Sequence, residues 1–210
     1  MVASAVQAVI FDFDGVIAER GFRAALRLLA ARCGLDYRPL PGQAMDVLVS
    51  SGYLTGHATE QAWWQQLQAG LGPLGSCEQF RADVLVASRV RPWQIALAGR
   101  LAAAGYVTAV LSDHTDWLDQ IEARQPFARS FGRVFNSYYL GVSKRESAAF
   151  LAVLDALDVS PGRAVFIDDN PDNVARALAL GITGIVYRER EAFLRDIDRL
   201  LDGVLEGART

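Results

Sequence analysis

The chain has 210 residues, 51% of them hydrophobic, with 24 acidic and 21 basic side chains and a formal net charge of -3. That length accommodates one well-filled core, or a core with a smaller insertion. No block of five like charges occurs, so no nucleic-acid-binding face is expected; the longest later apolar stretch, Leu97 to Leu111, contains Arg100 and two glycines and is too short for a membrane span.

Met1 to Ile10 is apolar but carries no Lys or Arg, and Asp12 follows it closely, which does not fit a secretory signal. Ala8 to Phe11 runs into Asp12-Phe13-Asp14-Gly15-Val16. An apolar run bounded by a turn signal predicts a strand buried on both faces. Its carboxyl end is where open α/β sheets place their chemistry. Two aspartates there lose hydration and repel each other unless a cation lies between them. The plain alternative is a charged strand end facing water.

Gly15 to Arg20 reads as a tight loop. Phe22 to Cys33 is predicted helical, with Phe22, Leu26, Leu29 and Cys33 on one face and Gly34 as its end. Met45, Val47, Leu48 and Val49 suggest a second short helix, and Gly52 to Thr59 a turn. Thr59 or Glu60 opens a helix carrying Trp63, Trp64 and Leu67. Adjacent residues cannot share a helix face, so one tryptophan is expected in the local core and the other along a cleft. Gly70 to Ser76 is a loop rich in helix breakers, and Glu78 to Arg89 a fourth helix. With no strand alternation between residues 35 and 90, this region reads as an all-helical insertion after the first strand. Cys33 and Cys77 make neither a CxxC pair nor a disulfide framework; they read as small buried hydrophobes in a reducing, cytoplasmic setting.

From Arg91-Pro92 the pattern alternates. Pro92 suits the first turn of a helix through Ile95, Leu97 and Leu101 that stops near Gly105. Tyr106 to Leu111 is a strand leading into Ser112-Asp113-His114-Thr115, followed by a polar helix that Pro126 stops. Gly132 to Asn136 is a short strand. Ser143-Lys144-Arg145-Glu146 precedes a helix with the apolar face Phe150, Leu151, Leu154 and Leu157. Ala164 to Ile167 is a strand ending in Asp168-Asp169-Asn170-Pro171; Asn170 or Asp172 caps the next helix, and Gly181 terminates it. Gly184 to Tyr187 is a last strand, before a helix carrying Phe193, Leu194, Ile197, Leu200, Leu201 and Val204.

This alternation predicts a parallel sheet covered by helices on both faces. Right-handed crossovers then bring Asp12 and Asp14, Ser112, Lys144, and Asp168 and Asp169 to one edge. Four carboxylates in one crevice need a cation, and oxygen ligands without a nearby His or Cys cluster favour Mg²⁺. Lys144 adds one fixed positive charge. Together they suit a dianionic phosphoryl group. Ser112 and the backbone amides after it can donate to phosphate oxygens. Asp12 can attack phosphorus as a carboxylate, and Asp14 can pass a proton to the leaving oxygen and take one from water.

The set resembles the haloacid dehalogenase superfamily, over essentially the whole chain. Its four motifs fall in order: Asp12-Phe13-Asp14-Gly15-Val16, Ser112, Lys144, and Asp168-Asp169 with Asn173 beyond. The resemblance implies a Rossmann-like α/β core, 1–17 and 91–210, with a small helical cap, 18–90. It implies Asp12 as nucleophile and Asp14 as general acid/base. Mg²⁺ would be held by the Asp12 side chain, the Asp14 backbone carbonyl and the Asp169 side chain, with Asp168 behind them or bound through water. Asn173 would orient Lys144 or the acidic pair. The turn bearing His57 would reach over the site and help select substrate. Asp113-His114 stands where an asparagine is frequent, with Asp113 a phosphate or substrate contact, and Arg145 stands where many relatives have proline. His114 either faces the pocket or, the plainer reading, solvates a loop.

Small sugar-phosphate phosphatases and the phosphatase-like domain of epoxide hydrolases are the nearest patterns. The expected activity is therefore Mg²⁺-dependent hydrolysis of a small phosphorylated metabolite, with no nucleic-acid or membrane partner. A phosphomutase, a haloacid dehalogenase and a catalytically silent phosphate-binding protein are the alternatives. A receiver-like signalling module is disfavoured, because Lys144 precedes the acidic pair. The sequence carries no signal of an oligomeric state.

Overall fold

A computed structural model describes residues 6–201; Val204, assigned above to the last helix, lies outside them. Ala8–Phe11 forms β1, and all four of its residues are buried. The chain then runs through α1 (Gly21–Cys33), α2 (Leu40–Ser50), α3 (Glu60–Leu71) and α4 (Cys77–Ala87) before the next strand. The remainder alternates: α5 (Pro92–Ala103), β2 (Val107–Ser112), α6 (Trp117–Arg124), β3 (Arg133–Asn136), α7 (Ser137–Leu140), α8 (Ser147–Leu157), β4 (Ala164–Asp168), α9 (Pro171–Ala179), β5 (Thr183–Val186) and α10 (Arg190–Leu200).

The five strands pair in the order β3-β2-β1-β4-β5, all parallel. The α/β class expected from the sequence is therefore the observed one. Residues two apart on a strand share a face, and the core divides accordingly. Val9, Phe11, Val110, Val165 and Ile167 belong to one cluster, which continues into α5, α6, α10 and the four helices after β1. Ala8, Ile10, Ala109, Leu111 and Phe166 meet Phe150, Val153 and Leu154 of α8 on the opposite face. The strand order reverses direction at β1, which has β2 on one side and β4 on the other. Such a switch point opens a crevice beyond the strand ends, and β1, β2 and β4 run into it with Asp12, Ser112 and Asp168.

Local chemistry explains most of the element ends. Thr59 caps α3 by accepting from the Ala62 N–H at 3.2 Å, and Asn170 caps α9 by accepting from the Asp172 N–H at 3.0 Å. Gly34 ends α1 in the left-handed conformation, φ 66°. Two details differ from expectation. Leu151 is 49% exposed, and the buried stripe of α8 is Ala149, Phe150, Val153 and Leu154. Those four positions form one continuous i, i+3, i+4 ridge, and Leu151 stands about 100° round the helix from Phe150. The single turn α7 was not anticipated, since four residues show no periodicity. Its cap, Asn136 Oδ1 accepting from the Tyr138 N–H at 3.1 Å, and its left-handed end at Gly141 were nevertheless in the sequence.

Both tryptophans of α3 are buried, Trp63 at 0% and Trp64 at 2% exposure. Trp64 does not line a cleft, as one of the pair was expected to; its Nε1 donates to the Gly75 carbonyl at 3.1 Å. The packing is aromatic on every side: Trp63 lies 5.6 Å from Trp64, 6.1 Å from Tyr53, 5.8 Å from Phe80 and 5.7 Å from Trp117 of α6, ring centre to ring centre. At about 0.5–1.5 kcal/mol per pair beyond area burial, this cluster fixes α3 and α4 against the α/β layer. Of the cysteines, Cys77 is buried and Cys33 half-buried, and both are free.

Candidate active site

Parallel pairing sets β1 beside β4, with the Asp12 N–H donating to the Ile167 carbonyl at 2.8 Å. Asp12 and Asp168 thus emerge side by side. Lys144 arrives from the loop after α7, held by its own N–H donating to Asp113 Oδ1 at 2.8 Å. It is the only lysine in the chain, and it is 1% exposed. Its Nζ donates to Asp12 Oδ1 at 2.6 Å and to Asp168 Oδ2 at 2.7 Å. Asp168 is saturated: Oδ2 also accepts from Asn173 Nδ2 at 3.0 Å, and Oδ1 from the Asn170 N–H at 2.8 Å. Asp12 Oδ2 has no hydrogen bond among the described residues.

One oxygen each from Asp12, Asp168 and Asp169 lies within 4.8 Å of the others. Lys144 cannot balance three carboxylates. Burial first, then Asp168, pushes the Asp12 carboxyl well above its usual range, and Lys144 only partly opposes this. Burial alone would lower Lys144, but Asp12, Asp168 and Asp113 outweigh it and keep the ammonium charged. The Asp169 carboxylate is taken by Arg20, which sequence reasoning missed. Gly15 makes this approach possible. Its φ of 99° is left-handed, and a Cβ there would stand 2.3 Å from Asp169 Oδ2.

Asp14 turns the other way. Its Oδ1 accepts from the Gly21 N–H at 2.9 Å at the start of α1. Burial raises its carboxyl to about 7, with Asp169 adding to the rise and the Gly21 and Phe22 N–H groups opposing it. A carboxyl titrating near neutrality can hold or release a proton in turn.

A cavity of about 450 Å³ opens over these groups. Asp12, Asp14, Asp113, Lys144, Asp168, Asp169 and Asn173 all line it. Ser112 is fully buried and does not, and its hydroxyl has no partner. An unsatisfied buried hydroxyl costs about 1–3 kcal/mol, so Ser112 is a donor in waiting. His114 lines the cavity at 7% exposure instead of solvating a loop. It packs edge-on to Phe13, with ring centres 6.0 Å apart. Burial lowers its imidazole to about 4, so it is neutral at physiological pH.

His57 does not line the cavity. Its turn is seated on α7, where Ser137 Oγ donates to the Leu54 carbonyl at 2.9 Å and a Cβ on Gly56 would meet the Tyr138 carbonyl at 2.4 Å. That anchoring holds His57 beside Gly141, exposed, with Nδ1 3.0 Å from Thr55 Oγ1. The walls come from residues that sequence reasoning did not place there: Phe22, Met45, Leu48 and Trp117, with Arg23, Arg145 and Arg176.

A sequence model of a family described as a hydrolase, haloacid dehalogenase-like hydrolase, matches residues 6–181. Bifunctional epoxide hydrolase 2 of Rattus norvegicus is 23% identical over 218 residues, 93% of this chain but 39% of that relative; the chain therefore spans well under half of its length. Phosphoglycolate phosphatase of Rhodospirillum rubrum is 28% identical over 86% of this chain and 78% of its own. A HAD family enzyme of Bacteroides thetaiotaomicron, solved with magnesium and inorganic phosphate, has the same fold at a TM-score of 0.68 and 19% identity, covering 90% of this chain and 98% of that one. No helix among the described residues is long and apolar enough to cross a membrane.

Proposed function

This chain belongs to the haloacid dehalogenase-like hydrolases, and on that footing we propose that it is a Mg²⁺-dependent phosphatase of small phosphomonoesters that works through an aspartyl-phosphate on Asp12. The observation that carries the reading is the shared ammonium of Lys144, 2.6 Å from Asp12 and 2.7 Å from Asp168, beside a third carboxylate on Asp169. The cluster lacks positive charge and offers only hard oxygen donors, which suits Mg²⁺. Asp12 and Asp169 would hold the ion with the Asp14 backbone carbonyl; Asp168, both oxygens already bonded, would act through Lys144 or through water. When bound, the ion supplies charge neutralisation and polarises a phosphoryl oxygen.

The chain's own groups do the rest. Asp12 Oδ2 attacks phosphorus, the new P–O bond forms as the ester P–O bond breaks, and Asp14 gives its proton to the departing oxygen. Water then attacks the phospho-aspartate, Asp14 takes a proton from it, and Asp12 returns as a carboxylate. Lys144 holds the nucleophile's other oxygen throughout, and Asn173 keeps Asp168 aimed at Lys144. Ser112 donates its unpaired hydroxyl to a phosphoryl oxygen, and Asp113 fixes the Lys144 backbone. Residues 18–90 act as the cap that excludes water over a core of 1–17 and 91–210. A mutase of this type would call on a cap lysine or histidine; the chain has no other lysine, and His57 lies off the cavity. The intact acidic set argues against a silent binding protein. Free Cys33 and Cys77 suit a cytoplasmic setting.

The test is turnover of an aryl phosphate. Phosphate release is expected with Mg²⁺, to fall to background in excess EDTA, and to return when Mg²⁺ is restored. Undiminished release in EDTA contradicts the proposal.

A further inference from the structure

Five cationic side chains line the cavity: Arg20, Arg23, Lys144, Arg145 and Arg176. Four are engaged. Lys144 holds Asp12 and Asp168, Arg20 pairs with Asp169, Arg145 donates to Asp46 Oδ1 at 2.8 Å, and Arg176 donates to Asn173 Oδ1 at 3.0 Å. The Arg23 guanidinium alone has no hydrogen bond, ion pair or ring contact among the described residues.

Its place on the helix makes that isolation unfavourable. Arg23 sits in the first turn of α1, which contains no acidic residue, so the positive end of the helix dipole repels it. The Gly21 N–H at that end is already given to Asp14. The exposed Arg23 lines the cavity with no carboxylate supplied by the fold, which leaves its guanidinium available to an anion from outside. The fork of N–H donors fits a carboxylate or a phosphate in bidentate fashion. The cavity, about 450 Å³, has room beyond the transferred phosphoryl group for the body of a metabolite. Phe22, Met45, Leu48 and Trp117 give that body an apolar wall.

We propose that Arg23 binds a second anionic group on the substrate, a carboxylate or a second phosphate, so that the preferred substrates are phosphomonoesters with two anionic centres. This rests on the phosphatase reading above and gives it a substrate class. Arg23 is then a specificity residue and takes no part in the chemical step.

The test is a matched series of short alkyl phosphates, from ethyl to hexyl, each ending in a hydroxyl, a carboxylate or a second phosphate. The readout is the ratio of kcat/KM for the anion-ended compound to that for its hydroxyl-ended twin. In the wild type this ratio should reach roughly tenfold to a hundredfold at the best-fitting length, the size of one charge-assisted contact. In Arg23→Ala it should fall to about one, mainly through a higher KM, and Arg23→Lys should recover part of it. The carboxylate and phosphate arms identify which anion is bound. A wild-type ratio near one at every length, or a ratio unchanged in Arg23→Ala, overturns the inference while leaving the phosphatase reading intact. Release of phosphate from none of these compounds, nor from an aryl phosphate, overturns the phosphatase reading and this inference with it.

Discussion

Asp12→Asn should lower phosphate release from an aryl phosphate by roughly four to six orders of magnitude, the loss seen when a covalent nucleophile is removed. The change is nearly isosteric, so the effect is chemical. An amide oxygen does not form the phospho-enzyme, and an amide nitrogen turned toward Lys144 would set donor against donor where a 2.6 Å bond now stands. Folding should not suffer. Burial and Asp168 already penalise the Asp12 charge, so removing it relieves repulsion, and the thermal midpoint should stay level or rise. A melt and a steady-state assay on the same preparation separate the two effects. A variant that keeps full turnover would remove Asp12 from the chemistry.

Lys144→Met should cost stability as well as activity. Lys144 is 1% exposed and bonded to two carboxylates, of which Asp168 is 0% exposed and Asp12 6%. Removing one partner of a buried ion pair leaves uncompensated charge, at about 3–5 kcal/mol. The pH dependence has a definite sign. Lys144 is what opposes the rise of the Asp12 carboxyl, so without the ammonium its folded-state value, already above the usual range, rises further above the unfolded value. The folded form then binds more protons than the unfolded form across that interval, and stability falls as pH rises through it. The deficit relative to wild type should therefore be small near pH 4 and larger at neutral pH. Mg²⁺ should return part of it by binding only the folded form. Denaturant melts at both pH values check this. An equal midpoint for variant and wild type at neutral pH would mean that Lys144 is not what balances the acidic cluster.

The outline of the fold was legible because burial leaves simple traces. β1, β2 and β4 are apolar runs covered on both faces, each ending in a polar group, and a parallel order brings those ends together. Short-range signals placed the caps at Thr59 and Asn170 and the stop at Gly34. The aspartates and Lys144 could be grouped because strand ends converge whatever packs around them.

What stayed hidden depends on tertiary packing. The rule that neighbours on a helix diverge puts one of Trp63 and Trp64 along a cleft, but Phe80 of α4 packs against both and Trp117 of α6 against Trp63, so both are buried. His57 looked poised over the site until the turn bearing it proved to be seated on α7. His114 is buried against Phe13, a contact across two loops that no spacing encodes. The Arg20 pairing with Asp169 depends on the left-handed turn at Gly15, which admits Asp169 where a side chain would otherwise stand. Arg23 did leave a trace, a cation in the first turn of a helix, and that misfit is the kind of local conflict that marks functional positions.

The most direct measurement is to locate the phosphoryl group itself. Wild-type protein mixed with substrate and Mg²⁺, quenched in acid within one turnover and digested, should carry one phosphoryl group on the peptide containing Asp12, and the Asp12→Asn protein none. Phosphate released in a single turnover with that peptide unmodified at every time point, or a phosphoryl group on another side chain, would contradict the account.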